Sequence, residues 1–157
     1  MKLRIALLAA MATLLHPQVQ AQQFPYKNST LPTEKRVNDL LTRMTVEEKV
    51  GQLSKLLGWE MYEKSGKQVK VSDKLKKAVK EQHIGLLWAT YRADPWTQKT
   101  LLNGLSPVEA ARATNAIQRY MVDSTRLGIP LLLSEEAPHG HMAIGATVFP
   151  TAIGQAS

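Results

Sequence analysis

The 157-residue sequence contains no cysteine. That excludes disulfides, thiolate metal sites and a thiol nucleophile, and it leaves no attachment point for an N-terminal lipid. Aromatic residues are few, 6% of the chain, and no stripe of arginines interleaved with aromatics suggests a nucleic-acid surface. Internal repeats and low-complexity tracts do not stand out. The apolar run of residues 5–15 is too short to span a membrane. What remains is ordinary globular material, 44% hydrophobic and 21% charged, of a length that suits one small domain. The formal charge is +7, with lysines clustered between Lys64 and Lys80. Such a cluster reads as a solvated helix face and loop.

The N-terminus has the order of a secretory signal. Lys2 and Arg4 give a positive start, residues 5–15 an apolar core, and Val19 and Ala21 small residues at the −3 and −1 positions of a cleavage site. Residues 1–21 are therefore expected to be removed, leaving Gln22 first. Loss of Lys2 and Arg4 leaves 18 basic against 13 acidic residues, a charge of +5. The expected destination is a periplasm or the cell exterior, with no membrane association after cleavage.

Residues 22–35, polar and proline-containing, read as an extended arm. Val37, Leu40, Leu41 and Met44 recur at helical spacing. Thr45 followed by Glu48 is a capping box for a second helix, with Val50, Leu53 and Leu57 as its buried side and Gly58 as its stop. Residues 59–71 show no clear period and read as a loop. Ser72 caps a lysine-rich helix whose inner face is Leu75, Ala78 and Val79. Residues 84–89 are a continuous apolar run, expected as a strand buried on both faces. Residues 90–105 form a long polar loop with Trp96, and so long a loop in a compact domain is often functional or an insertion. Ser106, Pro107 and Glu109 make the clearest helix start in the chain. Ala110, Ala113, Ile117, Tyr120, Met121 and Leu127 mark its inner face, and Gly128 its end. Residues 84–134 thus read strand, helix, strand: a βαβ unit with a parallel sheet.

The chemistry concentrates in residues 130–150. The apolar run Leu131 to Leu133 leads into Glu135, Glu136, His139 and His141, punctuated by Gly140 and Gly145. A buried strand that ends in a polar loop is how parallel α/β folds present reactive groups. Alternation puts Leu131, Leu133 and Glu135 on one face and Leu132, Ser134 and Glu136 on the other. The first face suits packing under helices, so Glu136 is the better candidate for a pocket. There a carboxylate could accept hydrogen bonds from sugar hydroxyls, bind a metal or act as acid or base; equally, it could cap loop amides. His139 and His141 form an HxH pair that could ligate a metal, but Pro138 and Gly140 favour a turn in which the histidines hold the loop together.

The chain resembles glycoside hydrolase family 3. The pieces are Arg36-Val37 through Leu40-Leu41, Met44-Thr45 through Gly51-Gln52-Leu53, Asn115 to Arg119 followed by Leu127-Gly128-Ile129-Pro130, and Glu136-Ala137-Pro138-His139-Gly140 followed by Gly145 to Pro150. Their common order and spacing carry the resemblance. It implies an α/β fold, the N-terminal portion of a (β/α)8 TIM-like barrel over residues 36–157. It further implies an exo-acting retaining β-glycosidase, of β-glucosidase or β-xylosidase type, acting on an oligosaccharide or glycoside with an Asp nucleophile, a separate Glu acid/base and no cofactor or metal. Glu136 then binds hydroxyls of the terminal sugar, with His139 beside it in the substrate-binding loop. Glutamate at this position is like the β-xylosidase branch, where glucosidases often have aspartate.

A full barrel takes about 250 residues, whereas 136 remain after Ala21. The chain also reaches Ser157 early in a helix. It is therefore expected to be truncated, with the nucleophile and acid/base beyond it. Retaining hydrolysis needs two carboxyls about 5 Å apart across the scissile bond. Glu135 and Glu136, pointing oppositely from one strand, cannot supply them. The rival readings are a metal-dependent hydrolase using His139 and His141, and a non-catalytic exported binding domain. The leader is checked by N-terminal sequencing of exported protein: the expected first residue is Gln22, and a mature chain that keeps Met1 contradicts it.

Overall fold

The computed structural model describes residues 24–156, so the stretch 1–21 read as a signal lies outside the described residues. The chain divides into two compact units, up to Arg43 and from Met44 onward. In the first, Pro25–Lys27 forms a 3-10 turn and α1 spans Thr33–Arg43. The stretch 22–35 is thus not uniformly extended. Pro25 presets the turn's φ, and the turn is tied to α1: the Tyr26 amide donates to Asp39 Oδ2 (3.2 Å), and Arg36 Nε donates to the Tyr26 carbonyl (2.9 Å). Arg43 pairs with Asp39 one turn back, at 2.9 Å.

The second unit opens with α2, Val46–Gln52, behind the capping box expected at Thr45. The Thr45 amide donates to Glu48 Oε2 (2.9 Å) and the Glu48 amide to Thr45 Oγ1 (3.2 Å). This helix stops at Gln52, not at Gly58, and its expected inner face is wrong: Val50 is 59% and Leu53 88% exposed. The residue it buries is Gly51, because the helix backbone runs hard against the chain at Gln82 and His83. A Cβ on Gly51 would collide with the Gln82 and His83 carbonyls. Leu57 belongs instead to strand β1, Lys55–Leu57.

Residues 59–71 are not a loop. After a 3-10 turn at Gly58–Glu60, strands β2 (Tyr62–Ser65) and β3 (Gln68–Val71) pair antiparallel, Tyr62 opposite Val71 and Ser65 opposite Gln68. The connection is the two residues Gly66-Lys67, and Gly66 takes φ +57°, as tight hairpin turns require. Helix α3, Asp73–Gln82, is capped by Ser72, whose Oγ accepts from the Leu75 amide (3.2 Å); it buries Leu75, Ala78 and Val79, as its sequence indicates.

Strand β4 is Leu86–Trp88, α4 is Pro107–Ser124, β5 is Leu132–Ser134 and α5 is Ala152–Gln155. Helix α4 has its capping box and buries Ala113, Ile117 and Met121. It ends four residues before Gly128, because Thr125 leaves the helical region (φ −114°, ψ 157°). Leu127 is still buried, but from the loop. Among the described residues no helix is long and apolar enough to cross a membrane.

Strands β1, β4 and β5 form one sheet in the order β1-β4-β5, parallel throughout. The βαβ unit expected over 84–134 is therefore present, with Leu86 opposite Leu132 and Trp88 opposite Ser134. Register aligns Leu56, Leu87 and Leu133 on one face, where Leu87 is wholly buried with Leu75, Ile84, Ile117 and Leu131. The other face carries Leu57, Trp88 and Ser134 in one row and Lys55, Leu86 and Leu132 in the next. It is not buried: Leu132 is 67% exposed. Strand β4 is thus covered on one face, not two.

The hairpin lies against α4 and is locked there by Lys64. Its Nζ donates to the Gly104 carbonyl (2.8 Å) and to Glu109 Oε2 (2.9 Å), both groups being mostly buried. Glu109 also accepts from the Ser106 amide (2.9 Å) as part of the cap. The Lys64 ammonium, then the Ser106 amide and hydroxyl, hold its carboxyl down at about 2, against an ordinary 4.5. A carboxyl depressed by folding stabilises the native state above its unfolded pKa, and that contribution is lost as pH falls through the folded value. Melting temperature followed between pH 7 and pH 2 should therefore decline in acid, and Glu109→Gln should both lower it at neutral pH and flatten the decline. Parallel profiles for the two proteins would show that this ion pair contributes nothing.

Candidate functional site

All three parallel strands deliver their carboxyl ends to one edge of the sheet, and the loops that follow β4 and β5 meet there. Ala89 makes the first bend. It is wholly buried, its amide donates to the Ser134 carbonyl (2.8 Å), and its φ is +57°. A left-handed alanine stores strain that only a well-determined surrounding holds in place. Beyond it, Arg92 bridges to Ala143 in antiparallel fashion, and the Ala93 amide donates to the Met142 carbonyl (2.8 Å). The long loop over 90–105 is thereby fastened to the loop over 135–150.

Glu135 and Glu136, just past the end of β5, take different partners. Glu135 turns inward, its side chain 20% exposed, and Oε1 accepts from the Tyr91 amide (3.1 Å). The amide-capping role that the sequence left open for Glu136 thus falls to its neighbour. His141 Nε2 lies 3.3 Å from Glu135 Oε2 but without hydrogen-bond geometry, and its ring meets Tyr91 edge-on at 6.2 Å. Glu136 is the open carboxylate, 60% exposed, with Oε2 3.5 Å from Arg92 Nη1.

His139 is tied into its own loop. Its Nδ1 sits 3.0 Å from the Phe149 carbonyl, and the Phe149 amide donates back to the His139 carbonyl. Facing a carbonyl, Nδ1 must carry the proton, which leaves Nε2 as the acceptor of the neutral ring. The residue clasps the two ends of its loop. Gly145, at φ +83°, lets the loop turn back between them. Among the described residues no three His, Asp or Glu side chains converge on one point to hold a metal ion.

The residue that the sequence did not single out is Arg92. Its Nε donates to Asp94 Oδ2 at 2.7 Å, and both side chains are largely buried. Asp94 is itself pinned by Thr97: the Thr97 amide donates to Asp94 Oδ1 (2.9 Å), and the Asp94 amide to Thr97 Oγ1 (3.1 Å). Burial resists ionisation of Asp94, but the Thr97 amide and the Arg92 guanidinium outweigh it and hold the carboxyl below its usual range. The signal that could have found this arrangement is Asp94-Pro95-Trp96-Thr97, a turn sequence in a loop too long to be a mere connection. Chemically, the edge offers one exposed carboxylate beside one fixed cation, an arrangement that accepts and donates hydrogen bonds to neighbouring hydroxyls.

The pattern of the Glycosyl hydrolase family 3 N terminal domain matches residues 45–157, the whole of the sheet and both loops. A protein of Formosa agariphila named "Putative beta-xylosidase" is 33% identical over 129 residues, which are 82% of this chain and 16% of that protein. The chain therefore spans a small part of that relative's length. With most of its length matched in both comparisons, this chain belongs to glycosyl hydrolase family 3.

Proposed function

We propose that this chain supplies the N-terminal part of an exported, exo-acting retaining β-glycosidase that removes terminal β-linked sugars in carbohydrate catabolism, with Glu136 as a substrate-binding carboxylate. The observation that carries the reading is the position of Glu136: exposed, paired with Arg92 at 3.5 Å, and seated at the carboxyl edge of a parallel sheet, where such folds place their ligands. The uncovered sheet face with Leu132 supports continuation of the sheet into a closed (β/α)8 barrel, whose interior that face would line. The name of the Formosa relative and the glutamate at position 136 together favour a β-xyloside over a β-glucoside.

In this reading the chain binds and orients. Glu136 accepts hydrogen bonds from hydroxyls of the terminal sugar, Arg92 sets the direction of its carboxylate, and His139 keeps the loop closed behind it while offering Nε2. The nucleophile and the acid/base come from residues outside this chain, since Glu135 is committed to Tyr91 and the two glutamates face apart. Location in a periplasm or outside the cell rests on the leader-like residues 1–21.

Two measurements test it. In the full polypeptide encoded with this chain, Glu136→Ala should lower kcat/KM on aryl β-xyloside by about ten- to a hundred-fold, the loss of a charge-assisted hydrogen bond to the sugar, with melting unchanged. An unimpaired variant would remove Glu136 from the site. Residues 1–157 expressed alone should turn over neither aryl β-xyloside nor aryl β-glucoside; turnover by them would overturn the division of labour.

A further inference from the structure

Beside Glu136 stands an aromatic cluster that the binding role of Glu136 does not use. Trp59, Trp88 and Trp96, all the tryptophans of the chain, come together at the carboxyl edge of the sheet. Trp96 meets Trp59 edge-on at 4.8 Å and Trp88 at 5.7 Å between ring centres. Trp59 is 7% exposed, whereas Trp96 is 56% exposed. The Arg92 guanidinium lies 5.0 Å from the Trp96 ring centre and 5.9 Å from that of Trp88.

We propose that Trp96 is a stacking platform for a pyranose ring of the substrate, set beside the hydroxyl-binding pair Arg92 and Glu136. This deepens the glycosidase reading and rests on it for the identity of the ligand. A pyranose has an apolar face of C–H groups and a rim of hydroxyls. It needs a flat aromatic surface next to groups that donate and accept, and Arg92 joins those two parts: it touches the indole on one side and the Glu136 carboxylate on the other. The platform is rigid before any ligand arrives. Trp96 is the third residue of the turn closed by the reciprocal Asp94–Thr97 bonds, and its ring packs against those of Trp59 and Trp88. Rigid aromatic surface binds with little loss of side-chain freedom.

The test is calorimetric titration of the full polypeptide with S-linked thioxylobiose, which resists hydrolysis, so the result does not depend on turnover. Trp96→Leu keeps an apolar side chain but removes the flat ring. It should bind about ten-fold more weakly, the size of one aromatic contact, with melting temperature unchanged. Trp96→Phe, which keeps a ring, should stay within about three-fold of the unaltered protein. Equal affinity of Trp96→Leu and the unaltered protein would overturn the platform, and so would absence of thioxylobiose binding by the unaltered protein. Turnover of aryl β-xyloside by the unaltered protein reports separately on the glycosidase reading: binding that needs Trp96 without turnover would sustain the platform and sink the activity.

Discussion

Parallel pairing of Leu86–Trp88 with a strand on each side is the constraint from which the rest of the second unit follows. Parallel neighbours cannot be joined by tight turns, so each pair needs a crossover long enough to return the chain to its starting edge. Helix Asp73–Gln82 lies in one crossover and Pro107–Ser124 in the other. Side-chain alternation then commits Leu56, Leu87 and Leu133 to the helices and the residues on either side of them along each strand to the opposite face. The same geometry collects the carboxyl ends of all three strands at one edge. The chain does not need to build a site there; it needs only to choose what the loops carry.

What the loops carry is organised by Arg92. Its guanidinium is fixed by Asp94, lies against Trp96 and Trp88, and approaches Glu136. A cation so enclosed is tolerable because each side of it meets a carboxylate or an aromatic face. Glu135 works from the other loop, holding the Tyr91 amide in place. Adjacent glutamates therefore have separate duties: one joins the loops and the other is left for solvent or ligand. His139 closes the second loop on itself through Phe149.

Local signals in the sequence were legible where the physics is local. The capping boxes at Thr45 and Ser106, the cap at Ser72, the inner face Leu75, Ala78 and Val79, and the core positions Ala113, Ile117 and Met121 stand as read, because each depends on residues within a few positions. The βαβ unit was legible because a long helix with clear ends lay between two apolar runs. The misreadings have a common cause in tertiary contact. Strand Lys55–Leu57 is three residues long, too short for its period to separate it from the preceding helical pattern. Gly51, not a hydrophobe, is the buried residue there, because backbone meets backbone at His83. In the hairpin at 62–71, only Gly66-Lys67 signals the turn in sequence. His83 ends its helix in the left-handed region, at φ 52°, without the glycine that usually marks such a stop. At the site, Glu135 and Glu136 have different partners, and Arg92 could not be found from alternation. It reaches Glu136 across 44 positions of chain only because the two loops pair at Ala143.

The central claim is that the edge around Glu136 and Arg92 receives a sugar. It is tested most directly by a crystal structure of the full polypeptide with bound xylose. The account predicts a sugar hydroxyl within hydrogen-bond distance of a Glu136 carboxylate oxygen, at the carboxyl edge of the parallel sheet. A well-ordered sugar bound elsewhere, with Glu136 still facing only Arg92 and solvent, would contradict it.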